Sequence, residues 1–154
     1  MSKPAPERVD PRSYNAFVRG VELRAVTLTS AAVSATRERP KVGSTKVTFG
    51  ADIILESSDA QGFTALATIT ASFSETGAER GSIAATFRLT YTSDEAMTDT
   101  LWRDFGPRNV RANVWPYARE FIQSMTQRMG WPSFVLPVST SARFAKPSVP
   151  PRPP

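Results

Sequence analysis

The chain contains no cysteine and no histidine. Without cysteine it forms no disulfide and offers no thiolate to zinc; without histidine the other common metal ligand is missing. A Ser-His catalytic triad is excluded on the same ground. No apolar run approaches the ~18 residues of a membrane span. The opening MSKPAPERVDPRS has no apolar signal core, so a cytoplasmic protein is expected. The glycines never gather into a GxxxxGK[ST] phosphate loop. Asp52 and Glu56 lie four residues apart on one strand face, ~13 Å from each other, too far for an acid–base pair. The remaining acids fall mostly on turns or polar strand phases. Together these absences argue against an enzyme and against any cofactor.

What is present fits one domain with a modest core: 154 residues, 40% hydrophobic and 21% charged. The net charge of +5 is concentrated at the ends. Residues 1–13 contribute +1 and residues 143–154 contribute +3, whereas 14–142 hold 13 cations against 12 anions. A nucleic-acid binder concentrates basic residues on one face of its fold, so that role is disfavoured. Both ends are proline-rich, with five prolines between Pro147 and Pro154. Such segments favour polyproline II and lack apolar content to offset ordering. The expected organisation is a flexible tail over 1–13, a folded domain over 14–144 and a proline-rich disordered tail over 145–154. Pro147-Ser-Val-Pro150 matches PxxP, a register read by proline-binding grooves, but short matches of this kind arise often by chance and a solvated tail is the preferred reading.

Between the tails a period of two appears four times. Val21, Leu23 and Ala25 alternate with charged residues before the apolar phase slips to Val26 and Leu28, which predicts a bulge near Ala25. The second stretch aligns Val47, Phe49, Ala51, Ile53 and Leu55. The third aligns Phe63, Ala65, Ala67, Ile69, Ala71 and Phe73, and the fourth Ile83, Ala85, Phe87, Leu89 and Tyr91. These are half-buried strands of an antiparallel sheet with one wetter face. Glycine-containing links over 57–62 and 75–81 predict hairpins. The link over 31–44 is long enough to cross over the sheet.

After Thr92 the period changes. Ser93 is placed to cap a helix with Asp94 and Glu95 in its first turn, running to Phe105 and broken by Gly106-Pro107. A longer helix follows, with Val114, Tyr117, Ala118, Phe121, Ile122 and Met125 as its apolar stripe. It begins either near Asn113, with Pro116 in the first turn, or near Arg108 with a kink; the longer version is preferred. Gly130 ends it and Pro132 blocks continuation. The reading is therefore α+β: a four-stranded antiparallel sheet with a long helix packed on one face, in two layers. Apolar residues exceed what such a small body buries, among them Ile54, Leu66, Met97, Leu101, Trp102, Trp131, Phe134 and Val135. Self-association or a groove for a partner would cover them.

At this point the chain resembles the SecB family of bacterial protein-export chaperones over about residues 14–144. Pro116-Tyr-Ala-Arg-Glu120 matches the PYARE that opens the family's long helix. Trp131-Pro132 through Phe134 to Leu136-Pro137 is similar to its aromatic-Pro-x-Leu-x-Leu-x-Pro exit, and Val21-Glu-Leu-Arg-Ala-Val-Thr-Leu28 resembles its first strand. The resemblance implies a cytoplasmic homotetramer, a dimer of dimers built partly through the long helix, where Tyr117, Phe121 and Met125 would lie. It implies ATP-independent holding of unfolded or nonnative polypeptides in apolar grooves, for protein transport and export. Trp131, Phe134, Leu136 and Phe144 would border that groove, with Phe49 and Ile53 as further lining; packing in the core or the assembly is the alternative for each. The near-neutral body departs from the acidic surface by which export members engage SecA. Relatives dedicated to a toxin–antitoxin pair, or carried by phage, fit better. The competing expectation is a scaffold or adaptor for one folded partner, with the proline-rich tail as its docking segment.

Overall fold

A computed structural model describes residues 7–41 and 43–137. The alternating stretches become β1 (Val21–Ala35), β2 (Thr45–Asp59), β3 (Gly62–Glu75) and β4 (Ala78–Ser93). They form one antiparallel sheet in the order β1-β4-β3-β2. Because β1 and β2 are its two edges, the segment between them has to traverse one end of the sheet. The expected crossover is thus present. The two remaining links are tighter than the glycines alone indicated. Asp59 Oδ1 accepts hydrogen bonds from the backbone N–H groups of Gln61 (2.7 Å) and Gly62 (3.0 Å), closing the β2–β3 turn. At the β3–β4 turn Thr76 and Gly77 both have positive φ, 49° and 80°, the hand that matches strand twist in two-residue hairpins. The expected bulge is found: β1 shifts register against β4 between Leu23 and Ala25, and again between Leu28 and Ser30.

One face of the sheet is the core. Phe63, Ala65, Ala67, Ile69, Ala71 and Phe73 on β3 are all buried, as are Ile83, Ala85, Phe87, Leu89 and Tyr91 on β4. Large residues stand opposite small ones: Phe87 faces Ala67, Leu89 faces Ala65 and Ile69 faces Ala85. This complementarity lets a helix lie close to the strands without leaving voids. The other face is hydroxyl-rich. Thr68 and Thr86 share a hydrogen bond of 2.8 Å there. Arg88 reaches from β4 across β3 to Glu56 on β2 through two hydrogen bonds of 2.9 and 2.8 Å. That pairing holds the Glu56 carboxyl below its ordinary value.

The second layer departs from expectation in three places. First, Pro11–Arg19 form a helix, α1, that starts inside the segment read as a loose tail. Asp10 caps it by accepting from the Ser13 backbone N–H at 3.1 Å, and a proline follows at the first helical turn. Second, Ser93 ends β4 and its hydroxyl donates to the Glu95 carbonyl, so it does not cap the next helix. Thr98 does, accepting from the Leu101 N–H, and α2 runs Asp99–Phe105. Third, Gly106-Pro107 does not break the chain's helical course. Gly106–Val110 form a π-helical stretch leading directly into α3, Arg111–Arg128. A π turn absorbs an extra residue, which relieves the contact a proline ring otherwise makes with the preceding turn. The helix therefore extends well upstream of Asn113, and Pro116 lies inside it.

The inward stripe is also rotated relative to the expected one. Val110, Val114, Ala118 and Ile122 are buried, joined by Trp115 and Thr126, while Phe121 and Met125 are half-buried and Tyr117 is 47% exposed. At one end Phe105 is edge-on to Phe63 (5.2 Å) and Tyr91 (5.4 Å), and α1 adds Phe17 at 6.0 Å. Burial at this end pushes the Tyr91 hydroxyl up to about 12, although a hydrogen bond from Asn113 works against the shift. No helix among the described residues is long and apolar enough to cross a membrane.

Candidate functional site

The opposite end of the sheet is built by the residues that leave α3. Gly130 takes φ +67°, in the left-handed region where a side chain is disfavoured. Its N–H bonds the Gln127 carbonyl and the Trp131 N–H bonds the Thr126 carbonyl, each at 3.0 Å. These two bonds make a Schellman cap, which turns the chain back over the sheet. Trp131 lands edge-on to Phe73, with ring centroids 5.2 Å apart. It also covers Gly81, where an added Cβ would come within 2.5 Å of the indole ring. The missing side chain at Gly81 is what makes room for the tryptophan.

From Trp131 the exit returns along α3 and is fixed at several points. Phe134 stacks on Phe49 of β2 and stands edge-on to Phe73, 5.6 Å from each. Leu136 is fully buried. The Pro137 carbonyl accepts the Trp115 indole N–H at 2.9 Å. Beside this exit the crossover segment contributes a second wall. The Lys41 N–H bonds the carboxylate of the buried Glu75 at 3.1 Å. The Thr45 hydroxyl donates to the Lys41 carbonyl at 2.9 Å.

An open apolar pocket of about 180 Å³ lies between the two walls. Val47 and Phe73 line it from the sheet, Trp131 and Phe134 from the exit, and Pro40 and Lys41 from the crossover. Trp131 is buried behind this surface, and Val135, next to Phe134 in the chain, is 46% exposed. The pocket's chemistry is that of a receptor for apolar side chains. Among the described residues no three acids, histidines or cysteines group to hold a metal ion.

The structure sorts the residues named from the sequence. Trp131 and Phe134 line the pocket and Phe49 supports Phe134 from below. Ile53 is half-buried farther along β2, away from the pocket lining. Leu136, fully buried, presents no surface to a partner and serves as the internal anchor of the exit. Phe144 lies outside the described residues. Val47 and Phe73 were read only as strand-core positions, and Pro40 and Lys41 were not singled out. Nothing in their local sequence marks them; they reach the site because the crossover passes over the end of the sheet where the exit lands.

A second apolar surface flanks α3. Leu28 pairs with Phe87 and Val33 with Ile83, which places them on the core face of β1. Yet both are over 40% exposed, because the helix covers β3 and β4 but not this edge strand. The Phe87 ring lies 6.4 Å from Tyr117 and 6.5 Å from Phe121, so strand edge and helix flank form one continuous strip.

No family model and no curated protein sequence matches the chain. Its fold does match solved structures. One is a SecB-like chaperone of Mycobacterium tuberculosis, solved in complex with a ChAD peptide from the HigA1 antitoxin. It superposes with a TM-score of 0.67 at 15% identity, covering 83% of this chain and 97% of the other. Another, a Streptococcus agalactiae protein of unknown function, gives a TM-score of 0.49 at 12% identity, over 76% and 96% of the two chains. The four-stranded sheet with its long helix is thus a SecB-like fold.

Proposed function

We propose that the protein is an ATP-independent holdase that captures an extended, apolar stretch of a nonnative polypeptide. The observation carrying this reading is the open pocket between exit and crossover, lined by Val47, Phe73, Trp131 and Phe134. The M. tuberculosis SecB-like chaperone, solved with an antitoxin peptide, supports a polypeptide as ligand. A dedicated client of that kind accords with the near-neutral body better than handover to SecA.

The pocket alone accepts one or two side chains. A client therefore needs further contacts, provided by exposed Val135 beside Phe134 and by whatever part of the β1–α3 strip self-association leaves open. If these together bury ~600 Å² of apolar surface, the gross gain is ~15 kcal/mol at about 25 cal/mol/Å². Ordering a flexible client offsets much of it, which leaves moderate affinity and loose selectivity. Self-association competes for the same strip. We assign Tyr117, Phe121 and Met125, with Leu28 and Val33, to a contact between copies of the chain, consistent with a dimer of dimers in the cytoplasm.

An aggregation assay tests the holdase role. Equimolar protein is expected to suppress light scattering from a thermally or chemically unfolded client, with or without ATP. Unchanged scattering at equimolar ratio would refute it.

A further inference from the structure

We infer that the proline-rich stretch 147–154 of the chain is itself a ligand of the exit pocket, occupying it until a client displaces it. The inference builds on the reading of that pocket as a peptide site and concerns its regulation. Three observations carry it.

The first is reach. The Trp115 indole fixes the Pro137 carbonyl, and Pro137 follows Trp131 by six residues, so it lies within ~20 Å of the pocket wall. Nine residues lie between Pro137 and Pro147, ten Cα-to-Cα steps. At ~3 Å per residue in extended or polyproline form they cover ~30 Å, enough to bring the prolines back.

The second is shape. Polyproline II strands dock in shallow aromatic-lined grooves because their rings are apolar and their backbone is already ordered. This pocket is open, about 180 Å³, and walled by Phe73, Trp131, Phe134 and Pro132.

The third is hydrogen-bonding sense. Of residues 147–154 only Ser148, Val149 and Arg152 carry a backbone N–H, so the stretch presents mainly carbonyl acceptors. The pocket rim offers the Lys41 ammonium and the Ser133 hydroxyl as donors, both on exposed residues. Tethering supplies the rest. A short linker holds a ligand at an effective concentration of about 1 mM or more, so even an affinity near 1 mM leaves the pocket substantially occupied.

The test compares the full chain with one lacking 145–154 by following the three indole N–H signals in nuclear magnetic resonance. Deletion is expected to move the Trp131 signal and leave Trp102 in place. A synthetic peptide of residues 145–154, added at millimolar concentration, is expected to restore the Trp131 position, but not in a truncated Phe134→Ala chain. Truncation is also expected to strengthen binding of a carboxymethylated, permanently unfolded protein by about twofold to tenfold. The proposal is overturned if Trp131 is indifferent to both deletion and peptide. It is equally overturned if the Trp131 shift in the full chain depends on protein concentration, which signals docking between molecules. If Trp131 responds but no unfolded protein binds, tail docking stands and the holdase reading falls.

Discussion

At Gly130 one backbone angle sets the direction of the whole exit. Alanine there must hold φ +67° or abandon the two cap hydrogen bonds, a loss of about 1 kcal/mol. For a domain of this size that lowers Tm by about 2–4 °C. A shift in Trp131 fluorescence is expected with it, because the cap aims that ring. Leu136 and Phe134 sit two residues apart and should behave differently. Leu136→Ala removes a fully buried side chain and is expected to destabilise by about 2–5 kcal/mol in chemical denaturation. Phe134→Ala, at a half-buried position, should cost less stability and lose more client affinity. Tyr91 gives a pH signature. Its hydroxyl ionises near 10 in the unfolded chain but is pushed up to about 12 by burial in the folded one. The neutral form is therefore favoured by folding. Stability from this residue is complete below pH 10 and lost as pH rises toward 12. Thermal scans should show that alkaline decline, and Tyr91→Phe should lessen it.

Among the elements, the strands were legible because one face of each is buried, and burial imposes a period of two that no turn or cap can disguise. The helices were less so. Gly106-Pro107 reads locally as a stop, yet packing of Phe105 and Val110 against the sheet on either side keeps the helix going through a π turn. Ser93 reads as a cap, yet its N–H bonds Gln61 across the β2–β3 turn and keeps it in β4. Both errors are tertiary contacts overriding local preference. With α1 the signal was present, Asp10 followed by Pro11, but the proline content of the segment masked it. The rotated stripe of α3 has a consequence for assembly: Tyr117 and the uncovered inner face of β1 remain apolar and wet. Under the proposed contact between copies, the paired substitution Leu28→Glu and Tyr117→Glu is expected to lower the mass seen in light scattering by half or more, with the circular dichroism of the folded subunit retained.

Over the whole molecule, the site is an encounter between segments far apart in sequence. The exit could be recognised from its resemblance to the SecB family's aromatic-Pro-x-Leu-x-Leu-x-Pro, and Trp131 and Phe134 with it. The second wall could not, because Pro40, Lys41 and Val47 become neighbours of Trp131 only through the strand order that sends the crossover over that end. Long-range placement of this kind leaves no periodic trace in the residues themselves. The surplus of apolar side chains was resolved in two ways. Phe105, Met97, Trp131 and Leu136 are largely covered by the chain itself, whereas Leu28, Val33, Tyr117 and Val135 stay exposed.

The most direct test of peptide capture is a titration of one labelled, permanently unfolded polypeptide against the natural chain and its Val47→Lys variant. Val47 floors the pocket from an edge strand and is half-buried, so a lysine there can direct its ammonium outward and leave the fold intact. Saturable binding to the natural chain, weakened at least about tenfold in the variant by a charge in the apolar floor, is the predicted result. Equal dissociation constants for the two proteins, or no binding to either, would contradict it.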